Sequence, residues 1–266
     1  MNLQILCTSI LIICTSFFIS INESENPETE EQAFAEAQSL KWNDVLTDDG
    51  TGDWTEKWFL DGDKARVINN TEGMTMHAGP VPDEDASHAV LWTKRSFEGD
   101  IKIEYDYTRL DESFRGVNII YLLATGSGEA PYSEDISEWN ELRRVPTMGK
   151  YFGNMNTYHI SYSTTDPDDD YVRARRYIPE GKTLRGTNLD PDYSKTSLFH
   201  TGVTSHITII KRGDWLFMEV NHPEQRRLFA WKTDTHPSIS KGRVGLRQMF
   251  TRSSRYKNIR ISLLEK

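Results

Sequence analysis

Cysteine is nearly absent from this sequence of 266 residues. Cys7 and Cys14, the two that occur, lie in the apolar and uncharged segment of residues 1–22, which is typical of a secretory signal peptide. A membrane anchor is the alternative, because residues 3–21 are nearly long enough to span a bilayer. Cleavage would leave no cysteine, which excludes disulfides, thiol nucleophiles and thiolate metal sites. We therefore expect a periplasmic or secreted protein with no membrane span in its mature form.

Lysine and arginine, 31 in all, are outnumbered by 40 aspartates and glutamates, and several common catalytic motifs are missing. The formal net charge is −9, which argues against a nucleic-acid partner because phosphate binding needs a basic surface. The sequence contains no HExxH zinc motif, no phosphate loop, no GxGxxG fingerprint and no GxSxG elbow. The acidic runs at residues 61–63 and 166–170 lack the spacing of an EF-hand calcium loop. We expect no cofactor and no metal ion.

Helical periodicity is rare beyond residue 40. About a dozen short runs rich in Val, Ile, Tyr, Phe, Trp and Thr, bounded by Gly, Asp, Asn or Pro, predict strands. Residues 133–142 are the best helix candidate, with Ser133 as its cap. Residues 23–39 are acidic and predict a disordered spacer that could include a turn of helix near its end. We expect a single all-β domain over residues 40–266, a β-sandwich or jelly roll, with long loops at residues 126–155 and 183–199.

The segment of residues 156–177 concentrates polar and aromatic side chains at strand spacing. Two alternating runs flank an acidic turn, and alternate residues of a strand share one face. One face of the first run carries His159, Ser161 and Ser163. One face of the second run carries Tyr171, Arg173, Arg175 and Tyr177. If the runs pair as a hairpin, these side chains meet on one sheet surface.

This combination suits β-elimination on a uronic acid. The reaction needs a cation to neutralise the carboxylate, a base near the C5 hydrogen and an acid near the leaving oxygen. Arginine suits the first task, histidine or tyrosine the second, and tyrosine the third. His159, Tyr177 and Arg175 are therefore the candidate catalytic residues, and Arg173 is a candidate anchor. The alternative is a solvated strand face whose arginines pair with residues 168–170.

Further residues are candidates for substrate binding. Asn118 and Tyr121 lie on one predicted strand, and the sequence does not indicate which of them faces the cleft. Tyr171 shares a face with the arginines of the hairpin. Arg247 and Arg252 either form a further anionic subsite or are surface charges.

Four segments together resemble a known family. They are GVNIIYLLATGSG (residues 116–128), MNTYHISYS (155–163), YVRARRY (171–177) and GRVGLRQMFTRSSRYKNIRIS (242–262). They resemble bacterial concanavalin-A-like (lectin/glucanase) jelly rolls that accompany the breakdown of uronate polysaccharides, and within these the oligosaccharide dehydratases of ulvan degradation. The histidine and the basic run ending in tyrosine are also similar to those of jelly-roll alginate lyases, although Tyr158 stands where those lyases have glutamine.

The resemblance implies a jelly roll that removes water from the non-reducing-end uronic acid of an anionic uronate-rhamnose sulfate oligosaccharide, leaving a 4,5-unsaturated sugar. His159 would then be base or carboxylate partner, Tyr177 acid or base, and Arg173 and Arg175 carboxylate or sulfate anchors. A chain-cleaving lyase would use the same residues.

A non-catalytic carbohydrate-binding jelly roll is the alternative from another class. It would need no base, and Trp54, Trp58 and Trp139 could form its aromatic platform. A glycoside hydrolase is disfavoured, because a clear pair of carboxylates is missing.

Overall fold

The computed structural model describes residues 27–163 and 170–265. The predicted signal peptide and the centre of the hairpin turn, residues 164–169, lie outside the described residues. Within the described ranges, no helix combines the length and apolar character that crossing a bilayer requires.

Sixteen strands and a few short helices make up the described chain. The strands are β1 Trp42–Asp48, β2 Trp58–Asp61, β3 Arg66–Asn70, β4 Gly73–His77, β5 Ala89–Thr93, β6 Phe97–Glu98, β7 Ile101–Arg109, β8 Asn118–Gly126, β9 Met155–Tyr162, β10 Tyr171–Tyr177, β11 Asn188–Ser194, β12 Thr204–Arg212, β13 Trp215–His222, β14 Gln225–Lys232, β15 Lys241–Gln248 and β16 Ser253–Leu264. The α-helices are α1 Pro27–Ser39 and α2 Met148–Phe152. Short 3-10 helices span Trp54–Glu56, Asp85–Ser87, Ile136–Arg143 and Pro179–Gly181.

The strands form two antiparallel sheets. The first has the order β14-β13-β12-β7-β16-β4-β3, with β1 also paired to β16. The second has the order β11-β10-β9-β8-β15-β5-β2, with β6 also paired to β15. The prediction of an all-β jelly-roll sandwich is confirmed.

The main core lies between the two sheets. Along β7, Ile101, Ile103 and Tyr105 are buried, whereas the alternating Lys102 and Glu104 are partly exposed. The other central strands contribute to the same core in the same alternating way. The side of the second sheet that faces away from this core, which we call the outer face, carries a second buried cluster.

The chain between β8 and β9, residues 127–154, covers part of this outer face, and we call it the insertion. It contributes Ile136, Trp139 and Tyr151 to the second cluster. The helix predicted over residues 133–142 is instead a 3-10 helix, Ile136–Arg143, with a kink at Trp139. Ser133 does not cap it, because Asp135 supplies the cap by accepting a hydrogen bond from the Ser137 amide at 2.9 Å.

The prediction of a disordered spacer was wrong for the part that the structure describes, because residues 27–39 form α1. Phe34 and Ala37 are buried against Ile210 and Phe217 of the first sheet. Arg226 joins the helix to this sheet, donating to Glu31 at 3.0 and 2.9 Å and to Glu219 at 2.6 Å. Two apolar side chains three residues apart thus hold an otherwise polar helix.

The loop predicted at residues 183–199 contains a strand. Residues 188–194 form β11, the edge strand that pairs with β10. Pro191 and the acidic residues beside it are rare in strands, so the sequence did not predict β11. Proline is tolerated here because β11 is an edge strand.

Candidate functional site

The predicted hairpin forms, and it places its polar side chains on the outer face of the second sheet. Antiparallel pairing aligns Arg175 of β10 with His159 of β9, and His159 with Tyr121 of β8. The same row continues through Gly245 of β15 to Trp92 of β5. The alternation of the two runs therefore predicted the facing of His159 and Arg175 correctly. It was wrong for Ser163, which follows the end of β9 and whose hydroxyl lies 2.7 Å from that of Tyr107 in the main core.

A second row lies two residues along the strands. It runs through Arg173, Ser161, Ile119, Arg247 and Val90. The two rows bring five of the predicted site residues onto one face, and Tyr171 and Tyr177 follow at the two ends of β10. The five are His159, Tyr121, Arg173, Arg175 and Arg247.

His159 and Tyr177 form a buried pair. The Nδ1 atom of His159 and the hydroxyl of Tyr177 hydrogen-bond to each other, and their exposed fractions are 3% and 0%. Burial raises the pKa of Tyr177 well above its usual value. Burial lowers the pKa of His159 well below its usual value, and the charges of Arg175, Arg247 and Arg173 lower it further. The imidazole is thus neutral and the phenol protonated at neutral pH.

Two of the three arginines of β10, Arg173 and Arg175, lie at the open rim of this site. Arg173 donates from Nε to Asp192 at 2.7 Å, stacks 4.4 Å from the centre of the Tyr171 ring and keeps 27% of its side chain exposed. Arg175 is half-buried and donates to the side chain of Asn188. Among residues 27–163 and 170–265, Arg175 forms no ion pair. The alternative was that these arginines pair with residues 168–170. Residues 168 and 169 lie outside the described residues. The carboxylate of Asp170 accepts hydrogen bonds from Thr196 and Ser197.

Arg247 is fully buried and has neutral partners. Its Nη2 donates to Nδ1 of His88 and to the carbonyl of Pro146, both at 2.6 Å. Its guanidinium carbon lies 4.5 Å from the centre of the Tyr151 ring. Within the described part of the chain, Nε and Nη1 have no hydrogen-bond acceptor. A buried cation normally has an anionic partner, so this one has spare capacity for an anion.

Asp61 anchors the insertion above the sheet. Its Oδ2 accepts hydrogen bonds from Nε1 of Trp92 at 2.7 Å, Nε of Arg143 at 2.6 Å and the hydroxyl of Tyr151 at 2.8 Å. Its Oδ1 accepts from Asn140 at 2.6 Å. The rings of Trp92, Tyr121 and Tyr151 stack nearly parallel, with centres 5.3 to 6.5 Å apart. One carboxylate therefore fixes the aromatic wall beside Arg247.

Two predicted binding residues lie elsewhere. Asn118 has the opposite parity to Tyr121 and points between the sheets, where it donates to Ser254 at 3.0 Å and to Tyr256 at 3.2 Å. Arg252 is fully buried and donates from Nε to Asn118 at 3.3 Å and from Nη2 to the Ser163 hydroxyl at 2.8 Å. The structure does not bring this pair onto the outer face with His159.

The predicted tryptophan platform does not form an exposed surface. Trp58 is 1% exposed, and its Nε1 donates to Asp48 at 2.7 Å. Trp139 is 3% exposed beneath the guanidinium of Arg143, whose carbon lies 4.2 Å from the ring centre. Trp54 is partly buried against the main core. Burial of aromatic surface in the cores outweighs exposure at these positions.

His88, Asp61 and Tyr151 were not predicted as site residues. His88 was missed because a lone histidine directly before a strand, here β5, is usually structural. Asp61 was missed because it ends β2 within an acidic run that is typical of a solvated turn. The many large side chains of the insertion were the one sequence feature that could have indicated Tyr151 as a site residue. In the described ranges, no group of three or more histidine, cysteine, aspartate or glutamate side chains is arranged to hold a metal ion.

Comparison with known proteins identifies a matching family model and a similar protein. The family model described as "Domain of unknown function (DUF1961)" matches residues 48–261. The uncharacterized protein YesU of Bacillus subtilis (strain 168) is 22% identical over 205 residues, which cover 70% of this chain and 81% of that protein.

Solved structures share the fold. A Bacillus subtilis protein of unknown function with a galectin-like fold aligns with a TM-score of 0.64 at 18% identity, covering 85% of this chain and 100% of that chain. Basic winged bean lectin with Tn-antigen aligns with a TM-score of 0.55 at 11% identity, covering 84% and 98%. These similarities establish a lectin-like jelly roll.

Proposed function

The chain belongs to the DUF1961 family, whose description is a domain of unknown function, and from this premise we propose that the protein binds acidic oligosaccharides on its outer face. One observation carries the proposal. Three guanidinium groups, those of Arg175, Arg247 and Arg173, lie on the face that carries the buried imidazole of His159. In the described chain, only Arg173 of the three has an ion-pair partner.

This local positive charge occurs in a protein whose formal net charge is −9. Arginines gathered on one face against the overall sign favour an anionic ligand, because their guanidinium groups match carboxylate and sulfate geometry. The half-buried Arg173 and Arg175 lie where an oligosaccharide can dock, and the buried groups lie deeper. The lectin-like fold, shared with a winged bean lectin in complex with Tn-antigen, supports a carbohydrate as the ligand class. A uronic acid is both a carbohydrate and an anion, so it matches the fold and the charge of the site.

Calorimetric titration with uronate-rhamnose oligosaccharides, sulfated and unsulfated, tests this function. We expect binding that weakens with salt, and a loss of about tenfold or more in affinity for Arg175→Gln. Arg227→Gln is the matched control, because Arg227 is a half-buried arginine on β14 of the other sheet. Equal binding of a neutral oligosaccharide, or an unchanged affinity for Arg175→Gln, would contradict the proposal.

A second candidate function is β-elimination on the same ligand, supported by the buried His159–Tyr177 pair. A base removes the hydrogen on C5, its electron pair forms the C4=C5 double bond, and the C4–O bond breaks as the leaving oxygen takes a proton. Water leaves in a dehydratase, and a sugar hydroxyl leaves in a chain-cleaving lyase. The resemblance to dehydratases of ulvan degradation supports the first outcome and ulvan-type oligosaccharides as substrate.

The neutral imidazole offers two arrangements. If Nδ1 carries the hydrogen and donates to Tyr177, then Nε2 of His159 is free to act as base and the phenol is free to protonate the leaving oxygen. If Tyr177 donates to Nδ1, then Nε2–H of His159 is a donor for the carboxylate. In the described residues Nε2 has no partner in either case.

Absorbance of the unsaturated uronate, followed by mass spectrometry, tests this second function. Loss of water identifies a dehydratase, and shorter chains identify a lyase. Binding without any new absorbance would eliminate catalysis and leave the binding function standing.

A further inference from the structure

The partners of Arg247 accept hydrogen bonds from its Nη2 without cancelling its charge. An imidazole, a backbone carbonyl and a phenol ring surround the guanidinium. None of these groups is an anion. Neutral contacts thus orient the guanidinium beside the second buried cluster and leave its charge unpaired.

Neither of the nearby acids, Asp61 and Asp85, forms an ion pair with Arg247. Asp61 is fully buried and pairs with Arg143 at 2.6 Å. Asp85 lies 4.0 Å from Nδ1 of His88, with its own side chain 59% exposed to solvent. In the part of the chain that the structure describes, Arg247 therefore has no carboxylate within ion-pair distance.

His88 is itself rigidly held. It is 2% exposed and stacks on Phe250 with ring centres 5.2 Å apart. The Cβ that a side chain would add at Gly62 would lie 2.5 Å from the carbonyl oxygen of His88 and 3.3 Å from Pro146, so the residue that follows β2 packs tightly against both neighbours of Arg247. The two acceptors of the guanidinium are thus fixed relative to the sheet.

Building on the proposed binding of acidic oligosaccharides, we propose that His88 is a positioning residue that orients Arg247 for the ligand's carboxylate while leaving its positive charge uncancelled. Aspartate at this position would offer an acceptor oxygen at the same distance from Cβ as Nδ1. It would also bring a negative charge that competes with the ligand. A neutral acceptor keeps the guanidinium oriented and available.

Two chemical properties of histidine support this role. Burial, and to a lesser extent the charge of Arg247, lowers the pKa of His88 to about 3. The ring is therefore neutral at neutral pH. Because Nδ1 accepts from Arg247, the hydrogen of the neutral ring is on Nε2. Nε2 has no partner within residues 27–163 and 170–265 and is a second donor beside the same site.

A matched pair of variants, His88→Asn and His88→Asp, separates charge from shape. Each is titrated by calorimetry with the uronate-rhamnose oligosaccharide, and its melting temperature is measured without ligand. We expect His88→Asn to lose a few-fold in affinity and His88→Asp to bind about 30-fold more weakly than His88→Asn. We also expect His88→Asp to melt about 2–4 °C above His88→Asn, because the new carboxylate pairs with Arg247.

Controls keep the outcomes distinct. Asn70→Asp adds one negative charge on β3 of the first sheet and should bind as the parent does. If either short side chain prevents folding, His88→Gln and His88→Glu give the same contrast. Equal affinity of the Asn and Asp variants, with the parent binding normally, would overturn the role of His88 and leave the proposed function intact. Failure of the parent itself to bind would overturn both.

Discussion

The imidazole of His159 and the hydroxyl of Tyr177 hydrogen-bond to each other diagonally across two strands. Arg175, rather than Tyr177, is the residue directly opposite His159, and Tyr177 is opposite Thr157. A diagonal pair of this kind is within reach of an aromatic side chain. The strand register thus gives His159 a phenol on one side and a guanidinium facing it.

Replacing Tyr177 by phenylalanine removes the partner of a buried nitrogen. We expect Tyr177→Phe to lower the free energy of unfolding by about 1–3 kcal/mol, because Nδ1 of His159 is left unsatisfied. We expect the proposed elimination to fall by roughly 10²- to 10⁴-fold, the usual contribution of a general acid or base. Urea denaturation and the absorbance assay measure the two effects.

Tyr158→Phe is the control for this substitution. Tyr158 is equally buried but faces the main core, and its hydroxyl has no hydrogen-bond partner in the described chain. Removing this hydroxyl should leave elimination unchanged and stability the same or slightly higher. Equal losses in both variants would show that the hydroxyl of Tyr177 has no special role.

Stability should fall in mild acid because two histidines are buried in neutral form. In the unfolded chain His88 takes up a proton near pH 6.5, whereas in the folded protein its pKa is about 3. Its contribution to stability is therefore present above pH 6.5 and is lost as the pH falls towards 3. Between pH 7.0 and 5.0 the expected loss from His88 is about 2 kcal/mol, and the lowered pKa of His159 acts in the same direction.

Urea unfolding at the two pH values measures this slope. The variant His88→Asn cannot take up a proton at this position, so its stability should fall by about 2 kcal/mol less over the same interval. A slope as steep as that of the parent would show that His88 does not contribute.

The carboxylate of Asp61 should be the main support of the insertion. Asp61→Asn leaves Arg143 as an unpaired buried charge, which costs about 3–5 kcal/mol. Asp63→Asn is the control, because the ion pair of Asp63 with Arg144 is exposed and its loss should change stability little. Urea denaturation and limited proteolysis within residues 127–154 report the difference. Similar behaviour of the two variants would contradict the role assigned to Asp61.

Helix α1 should stabilise the sandwich without affecting the site. Phe34 is 1% exposed and packs edge-on against Phe217 of the first sheet, so Phe34→Ala should cost about 3–5 kcal/mol. Ligand affinity should remain at the parent value, because the site lies on the other sheet. Glu36→Ala, an exposed position on the same helix, should change neither property. Altered affinity in Phe34→Ala would show that the two sheet faces are coupled.

The alternation of side chains at strand spacing predicted the all-β fold class and the residues at the centre of the site. The period of two in residues 156–177 is unambiguous, so His159, Arg173 and Arg175 could be assigned to one surface from the sequence alone. The same rule left Asn118 and Tyr121 undecided, since β8 is buried on both faces and its sequence is apolar nearly throughout. Partners from distant strands decide such positions.

Other features depend on contacts that no local pattern records. The role of Asp61 requires Trp92, Arg143 and Tyr151 to converge from three separate segments. The docking of α1 requires an apolar patch on strands far along the chain. Local propensity is a weak guide wherever tertiary packing supplies most of the stabilisation.

The complete burial of Arg247 has a consequence for kinetics. Arg247 has no exposed surface and Tyr151 of the insertion packs against its guanidinium, so we expect a ligand's carboxylate to reach Nε and Nη1 only when the covering side chains move. Opening then precedes binding, and the association rate should level off at high ligand concentration instead of rising linearly. We expect release to require the same movement, so that a ligand of modest affinity has a long residence time.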